Sequence, residues 1–302
     1  PVPVPGPAHP ATMMPAFARG HLSEVAILSR RFAKNVFRTY ELFTARTLQA
    51  LFAGVALGTL YMNVGNNERG VAERLGFFAF TLTFLLSSTV EALPIFLQER
   101  QVFVRETSRG AYRISSYLVA NFAIFVPFLL LLALLFTIPV YWLVGLNPEP
   151  EAFAFFVLIV WLVLLTANSF VAFFGALVPD YIMGNSIISG CMGAFFLFSG
   201  YFIAKQDMPP YWRFMHYISL FKYPLDGLLI NEYNTGPFSD HKCFGPMLPG
   251  GVCTFTSHDV LTQLGLQDIS KWCTLLMMVT FICFYRLLCY MVLRFKVCRR
   301  ER

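Results

Sequence analysis

Charge is scarce in this chain of 302 residues: Asp, Glu, Lys and Arg together make up 13%, about half the roughly 25% found in soluble domains. That composition excludes an ordinary water-facing surface. Catalytic signatures are missing too. No lysine follows a glycine, so there is no GxxxxGK[ST] phosphate loop, and neither HExxH nor GxSxG occurs. For this segment the absences exclude nucleotide hydrolysis and leave no catalytic residue and no metal set to assign. N-x-[ST] is absent, so N-glycosylation is not expected. No charged n-region precedes a short apolar core at the start, so no signal peptide is read.

What is present is apolar surface, with 57% hydrophobic residues. Leu75 to Leu97 and Leu118 to Val144 are unbroken enough to cross a bilayer core of roughly 30 Å, which takes about 20 helical residues. Between them Gln98 to Tyr117 carries Arg100, Arg105, Arg109 and Arg113 against Glu99 and Glu106. It reads as a short loop on the cytoplasmic side, because arginines near helix ends resist translocation. The net charge of +6 lies at helix ends, in this island and in the C-terminal tail. It is a topology signal facing anionic lipid, and no nucleic-acid partner is expected.

From the start, proline occupies five of the first ten positions, and 1–22 reads as a linker that continues from a preceding domain. From Ser23 the pattern turns helical. Val25, Leu28, Phe32 and Val36 form one face, and Arg30, Lys34 and Arg38 form a basic stripe. This predicts an amphipathic helix on the membrane surface. Six spans follow, at 42–62, 75–97, 118–144, 152–178, 187–203 and 272–293, with both termini inside. Gly54 and Gly58 in the first make a GxxxG match, a device for close helix approach. Glu91 in the second is either a helix contact, a cavity wall or an interfacial carboxylate reaching headgroup water. The external segment 204–271 holds PPYWRFMHYISLFKYPLDGLLINEYN, too polar for a crossing and read as re-entrant or interfacial. It also holds Cys243 and Cys253, ten residues apart in an oxidising compartment and expected to pair. Zinc with His241 does not fit a finger spacing. Cys191, Cys273, Cys283, Cys289 and Cys298 are read as reduced.

FLQERQVFVRETSRGAYRISSY, then FSGYFIAKQDMPPYWRFMHYISLFKYPLDGLLINEYN and the external cysteine pair, resemble the transmembrane half of a half-size ABC transporter of the G (white-brown complex) subfamily, plant members above all. The resemblance covers nearly the whole chain from Ser23. It implies an all-α, polytopic ABC-2 type exporter domain of six spans, with 23–40 as its connecting helix. It further implies an ATPase domain in the same polypeptide, binding ATP and Mg, and a second half-transporter as homo- or heterodimer partner. By the same resemblance Gln98 to Arg109 contains the coupling helix, with Glu99, Arg100, Arg105 and Glu106 facing the ATPase domain. The substrate cavity falls on Phe80, Phe84, Ser87 and Ser88 of the second span and on Met192, Gly193 and Phe196 of the fifth. Tyr201 and Phe202 form a plug. Two departures stand out: an aromatic clamp position is Ser87, and the plug is aromatic rather than leucine. The implied cargo is hydrophobic or amphipathic. Lipidic precursors of surface polymers are favoured, with hormones or terpenoids as competitors, at a plasma membrane. The rival class, a self-contained channel or proton-coupled carrier, would show a relay of intramembrane acids or an inverted repeat. Apart from Arg46 near the cytoplasmic end of the first span, only Glu91 and Arg286 stand inside spans, and no repeat is seen.

Overall fold

The computed structural model describes residues 20–38, 40–65, 67–107, 109–203, 208–234, 243–244, 256–266 and 269–300. The proline-rich start and Cys253 lie outside these residues. In order the helices are α1 His21–Arg38, α2 Tyr40–Leu60, α3 Glu68–Ser88, α4 Leu93–Thr107, α5 Ile114–Val144, α6 Pro150–Leu177, α7 Tyr181–Leu197, α8 Arg213–Ile218, α9 Lys222–Tyr233, α10 Ser257–Gln263 and α11 Lys271–Arg300. A 3-10 turn, Thr89–Ala92, joins α3 to α4. Among the described residues four stretches are long and apolar enough to cross a membrane: Arg69–Thr107, Ile114–Val144, Pro150–Leu177 and Lys271–Lys296. The shorter apolar α7 and the 21-residue α2, whose Arg46 lowers its apolarity, complete the six spans.

Helix α6 is the axis of the bundle. It packs on α3, α4, α5, α7, α9 and α11, and Ile159, Val160, Val163 and Ala167 along it are almost fully enclosed. On one flank α2 lies along α5, and the GxxxG pair is the reason it lies so close. A Cβ on Gly54 would sit 2.8 Å from the Phe136 carbonyl oxygen, and one on Gly58 would sit 2.8 Å from Leu143 Cδ1. Backbone cannot yield as a side-chain tip can. Gly54→Leu is therefore expected to force α2 off α5 and cost about 1–3 kcal/mol, read as a lower yield of monodisperse protein, while Ala56→Leu on the exposed side of α2 is tolerated.

Two expectations need correction. The island Gln98–Tyr117 is not a loop: α4 runs through it to Thr107, and the chain turns only before Ile114, with Gly110 at φ +68. The break lies upstream, at Thr89–Ala92. Ser87 and Ser88 donate to the carbonyls of Phe84 and Leu85, and Thr89 to that of Leu85. Such back-bonding competes with the helical ladder, and Pro94 supplies no amide to restore it. The fifth span begins at Tyr181 rather than 187 and ends at Leu197, so Tyr201 and Phe202 lie in the turn beyond it. The segment read as too polar to cross forms the short helices α8 and α9, neither long enough to cross, and all twelve residues of α9 are buried among its neighbours.

Candidate functional site

One open cavity of about 370 Å³ lies between α3 and α7. From α3 and the 3-10 turn come Thr83, Ser87, Val90 and Glu91; from α7 come Tyr181, Asn185, Ser189, Met192, Gly193 and Phe196; Phe221 closes one end. Of the residues expected there, Ser87, Met192, Gly193 and Phe196 share this wall. The other three do not. Phe84 stacks on Phe136 of α5 at 6.0 Å, and with Ser88 it lines a separate small gap beside Arg46 and Gln49 of α2. Phe80 is exposed and not part of the lining. Successive helical residues point about 100° apart, and here Ser87 turns to the α3–α7 cavity while Ser88 turns toward α2. The i, i+4 series Thr83, Ser87, Glu91 and the series Tyr181, Asn185, Ser189, Gly193 were readable from that period.

At the outer end of α7 the aromatic turn is built around Phe196. Tyr201 stacks on it at 6.1 Å, Phe202 meets it edge-on at 5.2 Å, and Phe221 lies 5.3 Å away. Gly200, at φ +97, makes the turn, and His216 Nδ1 lies 2.9 Å from the Phe198 carbonyl oxygen, pinning α8 to it. The Ser219 hydroxyl donates to the Phe195 carbonyl at 2.7 Å. The cavity therefore ends against a packed aromatic cap.

The four residues expected to face the ATPase domain point in different directions. Arg100 turns inward and donates to the Gly175 carbonyl at 2.8 Å, to that of Pro179 at 3.1 Å and to that of Val178. Together with Lys296, which donates to the Leu177 carbonyl at 2.9 Å, it occupies the orphan carbonyls at the end of α6. Glu99 is half-buried and accepts from the Asn121 side chain of α5 at 3.3 Å. Glu106 reaches sideways, accepting two bonds from Arg31 of α1 at 2.8 and 2.9 Å and one from the Tyr112 hydroxyl at 2.8 Å. The hydrogen bond with Glu106 raises the Arg31 pKa, and burial raises that of Tyr112. Arg105 is exposed, its Nε on the Gln101 carbonyl at 3.4 Å. Glu24 of α1 accepts from Ser116 at 2.7 Å, so α1 is fastened to both α4 and the start of α5.

A half-buried arginine and a buried ion pair fasten the rest of the bundle. Arg286 of α11 donates to Asn168 at 2.8 Å and Ser169 at 3.1 Å on α6 and lies 4.8 Å over the Phe122 ring. At the opposite end Arg74 of α3 pairs with Glu232 of α9 at 3.4 Å, their side chains 2% and 4% exposed. Nothing about the turn Asn63–Arg74 marked this arginine as buried. Cys243 is disulfide-bonded, and its backbone bridges to Thr256. Its expected partner, Cys253, is outside the described residues. Cys191, Cys273, Cys283 and Cys289 are free thiols.

Residues 23–233 match the family model described as ABC-2 type transporter. The chain is 52% identical over 285 residues to "ABC transporter G family member 5" of Arabidopsis thaliana, covering 94% of this chain and 43% of that protein. It is 52% identical over 278 residues to member 23 of the same plant, covering 92% and 44%. To "ABC transporter G family member STR2" of Medicago truncatula it is 40% identical over 283 residues, covering 93% and 38%. The chain thus spans somewhat under half the length of these relatives. A helical bundle with six spans, the amphipathic α1 fastened to the end of α4 and this match over most of the chain lead to one conclusion: the protein is an integral membrane protein that belongs to the ABC-2 type transporter family, and it is similar over most of its length to plant ABC transporters of the G family.

Proposed function

We propose that this chain is the membrane half of an ATP-driven exporter that moves amphipathic molecules out of the cell by alternating access. The observation that carries the reading is the open cavity between α3 and α7. It has an aromatic wall at one end, and at the other a helix break leads straight into α4. The relatives are more than twice as long as the segment matched, which supports an ATPase domain in the same polypeptide, holding ATP and Mg. The cavity is half of a site: α7 leaves Gly190 and Gly193 with nothing within 4 Å of a would-be Cβ, a face that a second half-transporter, identical or not, would complete. In this scheme nucleotide-driven movement reaches the membrane through α1 and α4, fastened by Arg31 and Glu106. The Thr89–Ala92 turn passes it to α3, and the cavity switches sides. The four arginines of the α4 region are the support for cytoplasmic termini, and the plasma membrane is the favoured location. Lipidic precursors of surface polymers remain the favoured cargo, ahead of hormones and terpenoids.

The test uses the full-length protein in lipid nanodiscs with a panel of long-chain amphiphiles. ATP hydrolysis is expected to rise with at least one of them, and Ser189→Trp, which fills the cavity, is expected to abolish the rise. Stimulation that survives the tryptophan would place the cargo elsewhere.

A further inference from the structure

Glu91 is the one charged side chain among the described residues that line the α3–α7 cavity. It is exposed, in the first turn after α3 ends. Gln49 Nε2 of α2 holds one carboxylate oxygen at 3.0 Å. Arg46 attracts Glu91 electrostatically but does not reach it as an ion pair: its Nη2 is engaged by the carbonyls of Ser88 and Thr89 at 3.3 Å each, and among the described residues Glu91 makes no salt bridge. The neighbouring hydroxyls add to its polarity in one sense. Thr83 donates its proton to the Ala79 carbonyl at 2.8 Å, and Ser87 donates to Phe84 at 3.1 Å. Both therefore present lone pairs, not protons, to the cavity. This end of the wall is rich in acceptors and negatively charged, while the other end, at Met192, Phe196 and Phe221, is apolar and aromatic.

Resting on the exporter reading, we propose that Glu91 is a specificity-determining residue that selects amphiphiles by their head group. Heads that donate hydrogen bonds, a neutral hydroxyl or a primary ammonium, are accepted, and carboxylate or phosphate heads are rejected. An acceptor-only anion would meet a like charge at Glu91 and the lone pairs of Thr83 and Ser87, and that repulsion outweighs the neutral donors that Tyr181, Asn185 and Ser189 can offer from α7. A hydroxyl donates to Glu91 at no such cost, and its tail lies along the aromatic end. Within the proposed cargo class this favours alcohols and polyol esters over free acids.

The experiment measures ATP hydrolysis by the full-length protein in nanodiscs with three single-chain amphiphiles of identical tail, bearing a hydroxyl, a primary ammonium or an ionised carboxylate. The expected half-maximal concentration is about tenfold higher for the carboxylate than for the hydroxyl, the size of effect set by partly screened repulsion at a wet cavity wall. Glu91→Gln, which keeps an oxygen for Gln49, is expected to remove that gap and to weaken the ammonium compound about tenfold by the same loss of charge. Glu91→Ser, smaller and also neutral, gives a second reading should the amide disturb assembly. Ser189→Trp runs in parallel. Should it abolish all three responses while the Glu91 variants leave the order of heads unchanged, head selection is overturned and the cavity stands. Should the three responses survive Ser189→Trp, the cavity reading itself falls, and this one with it.

Discussion

Glu232→Gln is expected to be among the most damaging single substitutions in this chain, although it removes no volume. The carboxylate sits where α3, α9 and the α5–α6 connection meet. Its Oε1 lies 3.4 Å from Arg74 Nε, and its Oε2 accepts from the Asn147 amide at 3.1 Å. Arg74 in turn donates to the carbonyls of Val64 at 3.3 Å and Gly65 at 3.4 Å and lies 5.8 Å over the Phe244 ring, next to the disulfide-bonded Cys243. Tyr141 ties the same connection by donating to the Asn147 carbonyl at 2.6 Å. Neutralising one partner leaves the other a buried charge without its counter-ion, which costs about 3–5 kcal/mol. For a domain of this size that corresponds to an apparent melting temperature lower by on the order of 10 °C. Arg74→Ala is expected to cost as much. The double variant Arg74→Leu with Glu232→Leu should recover a good part of the loss, because neither charge is then left alone. Thermal unfolding of the purified full-length protein reads all four forms. Little dependence on salt is expected in the parent, since a pair this enclosed is screened weakly. Additive losses in the double variant would mean that the two residues act independently.

That ion pair marks where sequence reading stops. The spans were legible because apolar runs of about 20 residues have few other uses, and α5, α6 and α11 fall within a few residues of their expected bounds. Polar segments were the difficulty. Arg74 reads as a solvated turn charge and is buried, and Lys222, Asp226 and Glu232 made α9 read as re-entrant or interfacial without showing how fully the bundle encloses it. Lys222 is accommodated by placing its ammonium 4.3 Å over the Tyr217 ring. Composition cannot report such pairing, because the partners are distant in sequence. The cavity was half legible. Of the residues the resemblance assigned, Ser87, Met192, Gly193 and Phe196 line one cavity together, whereas Phe84 and Ser88 turn toward α5 and α2.

Arg100 ties α4 to the end of α6, and its replacement carries the second large effect. Helix α6 ends at Leu177, and the carbonyls of Gly175, Val178 and Pro179 all point at one guanidinium from α4. No water-facing loop side chain does this. In the Ala variant these acceptors are left at a half-buried site with only Lys296 nearby, and charge-assisted bonds of this kind contribute about 1.5–3 kcal/mol. Arg100→Ala is therefore expected to lower stability by about that amount. Arg100→Lys should restore part of it, because an ammonium reaches one or two of these carbonyls but lacks the planar fork that serves them together. The functional consequence is separable from the stability. If α4 is the arm that carries movement to the cavity, its rigid attachment to α6 is what converts a displacement at Glu106 into one at Thr89–Ala92. Substrate-stimulated hydrolysis should then fall in both variants in proportion to the lost attachment, while Arg105→Ala, on the exposed side of the same helix, leaves stability unchanged. An Arg100→Ala protein that is destabilised yet fully stimulated would show that the clamp is structural only, and that movement reaches the cavity through α1 and α5 instead.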